Sequence, residues 1–189
     1  MIEIRIHGRG GQGAVIASKI LAHAAMLEGR FSQSFPAFGG ERRGAPVVAY
    51  VRIDDKKIRM RYQIYKPDCI VVLDSKLFKM VNLMAGLEEG SVIVVNSSPE
   101  EFHTDFPKFK LFFVDASSIS RTFKLGSKTA PIVNTSILGA VVKVTKVVTL
   151  DSLIEAIKES IPSKQKENIE AAQEAYANVQ GSRIGGKEG

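Results

Sequence analysis

With 189 residues, 44% of them hydrophobic, the chain has the material for one ordinary core. Its net charge of +6 would suit a polyanionic cofactor, an acidic partner or nucleic acid, but the basic residues are scattered, with no block of five like charges and no aromatic–basic motif for base stacking, which argues against nucleic acid. One cysteine, Cys69, excludes an internal disulfide and points to a reducing, cytoplasmic setting, while "CIVVL" and "VIVV" are too short to span a bilayer and "MIEIRIHG" is too charged for a secretory signal.

Ile2, Ile4 and Ile6 alternate with Glu3, Arg5 and His7, which predicts a first strand. "GRGGQG", residues 8–13, follows, and then Ile16, Ile20, Ala24 and Leu27 recur at helical spacing, with Gly29 as the stop. Residues 47–61, "VVAYVRIDDKKIRMR", read as a hairpin turning near Asp54-Asp55-Lys56. "CIVVLD" then reads as a buried strand, followed by a helix from about Lys76 to Ala85 and two further strands in "SVIVVN" and "LFFVD". Pro131 and Asn134 open a helix through Val144, and polar helical stretches cover about 150–160 and 163–179. The end, "GSRIGGKEG", has no core-forming residues and is expected to be a disordered tail over 181–189. Together these elements predict an α/β fold: a doubly wound, largely parallel sheet with an inserted β-hairpin and C-terminal helices, in a single domain over residues 1–180.

In that architecture ligands sit beyond the carboxyl ends of the strands, where the glycine loop, Asp74, Asn96 and Asp115 fall on one rim. Each of these polar residues could equally cap the turn or helix that follows it. The loop matches G-x-G-x-x-G through Gly8, Gly10 and Gly13, with Arg9, Gly11 and Gln12 between them. Backbone amides at a helix start and the Arg9 guanidinium suit an anion; the alternative is that the glycines let strand, turn and helix pack closely. A dinucleotide site also needs an acid about 20 residues on. Phe31-Ser32-Gln33-Ser34 stands there instead, and the next acid is Glu41. In "FGGERRGAP", residues 38–46, Arg42 and Arg43 could present guanidinium forks to carboxylate or phosphate, or form a solvated turn with Glu41. No metal or catalytic set emerges. One cysteine cannot ligate an iron–sulfur cluster, His7, His23 and His103 lack ligand spacing, and neither a G-x-S-x-G elbow nor a P-loop occurs. Cys69 reads as a small core hydrophobe.

"GRGGQG" opening a helix, "FGGERRGAPVVAYVRI", "PDCIVVLD" and "NTSILGAVV", in this order over roughly residues 1 to 180, resemble the gamma subunits of 2-oxoacid:ferredoxin oxidoreductases, in particular those of the pyruvate enzyme, pyruvate synthase. The resemblance implies one subunit of a heterotetramer that makes acetyl-CoA and carbon dioxide from pyruvate and coenzyme A while reducing ferredoxin. It implies alpha, beta and delta partners, with thiamine diphosphate and iron–sulfur clusters held by those subunits and none tightly bound here. The isolated chain is then expected to be inactive. Coenzyme A is a polyanion, so residues 8–13 with Arg42 and Arg43 are its expected contacts. Glu41-Arg42-Arg43 could instead lock the chain to a neighbouring subunit, and Asp74, Asn96, Asp115 and Asn134 are the expected rim or subunit contacts. The competing expectation is a stand-alone nucleotide- or dinucleotide-binding protein.

Overall fold

A computed structural model describes residues 1–37, 44–101 and 106–181. Within them, a seven-stranded sheet has the order β2-β3-β1-β4-β5-β6-β7. Its centre is parallel: β1 (Ile2–Arg9), β4 (Cys69–Val72), β5 (Val92–Asn96) and β6 (Lys110–Val114). β3 (Pro46–Asp54) and β2 (Phe31–Pro36) extend it antiparallel beyond β1, and β7 (Gln180–Gly181) pairs antiparallel with β6.

The period of two in these strands decides what each face meets. Ile4, Ile6, Val51, Ile53, Cys69, Val71 and Val94 point to one face, where α1 (Ala14–Leu27), α3 (Asn134–Thr145), α4 (Leu150–Ser160) and α5 (Gln165–Asn178) bury their apolar sides. Ile70, Val72, Ile93 and Val95 point to the other, under Leu77, Leu83 and the aromatic rings of Phe78, Phe106 and Phe109. Burial on both faces explains why "CIVVL" and "VIVV" are uninterrupted apolar runs rather than alternating ones. β1 and β3 do alternate, because past β4 the second face turns polar: Arg5 and His7 stand there with Tyr50 and Arg52 of β3.

The parallel centre, the opening strand–loop–helix unit and the C-terminal helices stand as expected. The hairpin differs. β3 ends at Asp54 and its hairpin partner is β2, while residues 55–61 leave the sheet. The alternation in "KKIRMR" cannot make a strand here, because β3 is already paired by β1 on one side and by β2 on the other. The helix expected over about 76–85 shortens to a 3-10 turn, Ser75–Lys79. Beyond it the Arg5 guanidinium takes the carbonyls of Leu83 and Ala85 at 2.9 and 2.7 Å, holding them out of a helical ladder. A short helix, α2 (Ala116–Thr122), has too few residues to show an apolar period. Of the expected tail, Gly181 lies in β7, and the remainder falls outside the described residues.

Candidate functional site

The chain leaves β1 through α1 toward β2 and β3 on one side, then crosses to β4 on the other, so the strand order switches at the carboxyl end of β1. Open α/β sheets bind ligands at such a point. A cleft of about 560 Å³ lies there, walled by the glycine loop, the turn after β4, the ends of β5 and β6, and residues 129–133 ahead of α3.

The glycine loop is held tightly. The Arg9 amide donates to Gln12 Oε1 at 2.8 Å, the Gln12 amide to the Arg9 carbonyl at 2.9 Å, and the Gly10 amide to the Ala45 carbonyl at 2.9 Å. Gly44 donates back to Gly10 at 3.1 Å, and Arg9 Nε reaches the Gly44 carbonyl at 3.0 Å, so the two glycine-rich motifs of the sequence meet. Close packing explains Gly13: its φ is +84°, and a Cβ there would lie 2.7 Å from Asn134 Nδ2. Gly8 likewise faces Leu73 and Ala14. Three of the loop's amides are therefore committed to the loop's own architecture. The basic side chains lining the cleft are Arg9, Lys76 and Arg121.

The rim residues divide by role. Asp74 caps the 3-10 turn by accepting from the Lys76 amide at 3.0 Å, and Oδ2 also draws Gln12 Nε2 at 3.3 Å and Arg9 Nη1 at 3.5 Å. Asn96 ties two walls together: Nδ2 donates to the Leu73 carbonyl at 2.8 Å and to Ser117 Oγ at 2.9 Å, while Oδ1 accepts the Ser117 amide at 3.1 Å. Asp115 caps α2 through the Ser118 amide and hydroxyl, and that hydroxyl receives Arg121 Nη2 at 2.9 Å. Asn134 stands apart from the cleft lining, 97% buried beneath Gly13. Glu41, Arg42 and Arg43 lie outside the described residues, as does His103. Lys76, Ser117 and Arg121 line the cleft without having been singled out in the sequence. Lys76 could have been found as the basic residue two places after the strand-end Asp74, whereas Arg121 depends on α2, which has no readable period.

Two groups fall outside the cleft chemistry. Burial, with the Arg5 charge beside it, holds the His7 imidazole down at about 3. Burial raises the Cys69 thiol well above its usual value and leaves it protonated at the start of β4. Among the described residues no three His, Cys, Asp or Glu side chains gather as a metal-ligand set, and no helix is long and apolar enough to cross a membrane.

The model of the pyruvate ferredoxin/flavodoxin oxidoreductase family matches residues 3–178. The chain belongs to this family. Within it, the chain is 53% identical over 181 residues to the common gamma subunit of the pyruvate/ketoisovalerate oxidoreductases of Thermococcus litoralis, covering 93% of this chain and 96% of that protein. It is 50% identical over 185 residues to pyruvate synthase subunit PorC of Methanothermobacter thermautotrophicus, covering 97% and 99%. The crystal structure of the pyruvate oxidoreductase subunit PORC of Thermotoga maritima superimposes with a TM-score of 0.78 at 34% identity, over 96% of this chain and 98% of that one. Membership in the oxidoreductase family over this length leaves the stand-alone nucleotide-binding expectation without support.

Proposed function

We propose that the chain is the gamma subunit of a multi-subunit pyruvate:ferredoxin oxidoreductase, working in the cytoplasm with alpha, beta and delta partners and with ferredoxin as the electron acceptor of the complex. What supports this is near end-to-end similarity to relatives named as such subunits, at 53% and 50% identity. The reaction joins the acetyl group of pyruvate to coenzyme A and releases carbon dioxide. Thiamine diphosphate, which supplies carbanion stabilisation for the decarboxylation, and the iron–sulfur clusters belong to the partners. The one cysteine here is buried and protonated, so this chain has no thiolate set for a cluster.

This chain's own contribution is a wall of the coenzyme A site. The cleft at the β1–β4 switch presents Arg9, Lys76 and Arg121 on a rigid rim, a set suited to pyrophosphate and 3′-phosphate oxygens. Asp74 and Asp115 are taken up in capping the adjoining turns, which keeps their charge partly answered beside an anion. In the assembled enzyme, Lys76→Ala/Arg121→Ala is expected to raise KM for coenzyme A about tenfold or more, the loss of one to two charge-assisted hydrogen bonds, with kcat at saturation little changed. An unchanged KM in an intact complex contradicts the assignment. Arg42→Ala/Arg43→Ala in the same assay separates two roles: a raised KM marks a coenzyme A contact, and failure to co-purify marks a subunit contact.

A further inference from the structure

Residues 56–66, "KKIRMRYQIYK", carry five basic side chains and no acid. Forced out of the sheet, they run as an irregular strap over the polar face of β2 and β3. The strap is anchored from below. Gln33 Nε2 donates to the Ile58 carbonyl at 3.3 Å, and the Tyr62 ring lies 5.0 Å from the fully buried Arg52 guanidinium, which also lies 5.4 Å from the Phe35 ring. Arg52 is itself fixed by Glu3 at 2.6 Å. This anchoring leaves Lys57, Arg59 and Arg61 exposed, beside Tyr62 and Tyr65, which stack on each other at 6.4 Å and are 56% and 66% exposed.

Neighbouring charges are answered: Arg30 pairs with Asp55 and Lys66 with Glu88, both at 2.8 Å. Among the described residues, no acid pairs with Lys57, Arg59 or Arg61. A fixed strap of arginine and tyrosine has the composition enriched at the centres of protein interfaces. Its uncompensated charge calls for carboxylates opposite. Because β3 runs antiparallel to β1, the strap leaves the sheet at the end opposite the coenzyme A cleft.

We propose that Lys57, Arg59, Arg61, Tyr62 and Tyr65 form a docking surface for an acidic face of another subunit of the same enzyme. This rests on the gamma-subunit reading. A nucleic-acid partner is disfavoured because one face of the Tyr62 ring is taken by Arg52 and both tyrosines stack on each other, leaving no open ring pair for bases.

The test uses a tagged full-length chain co-expressed with its partner subunits and washed at increasing salt. Arg59→Glu/Arg61→Glu is expected to weaken retention of the partners at least tenfold near 0.1 M salt, while Arg59→Lys/Arg61→Lys retains them. Equal retention of the charge-reversed and wild-type chains overturns the proposal. If the charge-reversed chain fails a thermal-unfolding check, Arg59→Gln/Arg61→Gln decides in its place, with weakened retention expected and wild-type retention overturning the proposal. Retardation of random-sequence DNA by the wild-type chain, lost in the charge-reversed one, overturns it in favour of a nucleic-acid surface. A wild-type chain that retains no partner refutes the gamma-subunit reading itself.

Discussion

His7 shows how far burial controls a single side chain in this fold. It is 6% exposed on the polar face of β1, its Nε2 lacks a hydrogen-bond partner, and burial with the nearby Arg5 charge keeps it neutral to about pH 3. The unfolded imidazole takes a proton near pH 6.5, so between these values the unfolded state binds more protons than the native one. His7's contribution is therefore fully present above pH 6.5 and lost as the pH falls toward 3. Linkage makes the loss about 2 kcal/mol by pH 5. Equilibrium denaturation at pH 7 and pH 5 should show that drop in the wild type and a smaller one in His7→Gln. Equal pH dependence in the two proteins would show that His7 is not the titrating group. At the cleft, Asn96 plays a different part. With both ends of its amide engaged, it positions the turn after β4 against the start of α2.

Among the elements, α3 and α5 make the most intimate pair, and one residue permits it. A Cβ on Gly139 would collide with the Ala172 carbonyl of α5 and come within 2.7 Å of its carbon, while Ala171, Ala172 and Ala175 keep the facing surface small. Alanine at 139 would gain about 1 kcal/mol in helix propensity. Separating two buried helices costs about 1–3 kcal/mol or more, and here the obstacle is backbone, which cannot rotate away. Gly139→Ala should therefore lower stability by about 2 kcal/mol in urea denaturation; a variant as stable as wild type would mean the helices can part without cost. Elements like these were legible where pattern and packing agree. Ile2, Ile4 and Ile6 announced β1, and "CIVVL" and "VIVV" announced strands buried on both faces. "KKIRMR" alternates as a strand should, yet β3, against which it would fold back, is already paired on both sides, and pairing partners are a property of the whole sheet. Residues 76–85 failed as a helix because Arg5, 78 and 80 positions earlier, claims the carbonyls of Leu83 and Ala85. The site was legible in the same uneven way. The glycine loop, Asp74, Asn96 and Asp115 do converge on one rim, but Asn134 lies beneath the loop, and Lys76 and Arg121 emerge only once the turns after β4 and β6 are in place.

For the whole molecule, the two proposed surfaces lie at opposite ends of β1, a polar cleft at its carboxyl end and a basic, tyrosine-bearing strap at the other, so the roles proposed for them can be tested separately. Strap variants should then change subunit retention without altering KM for coenzyme A in the fraction that remains assembled. Cleft variants should do the reverse. The most direct measurement is pyruvate- and coenzyme A-dependent reduction of ferredoxin by the complex purified with and without this chain. If the chain is the gamma subunit, it should co-elute in stoichiometric amount, the preparation lacking it should have lost most activity, and adding it back should restore the rate. Full activity in its absence, or a chain that elutes alone while the other subunits assemble and turn over, would contradict it.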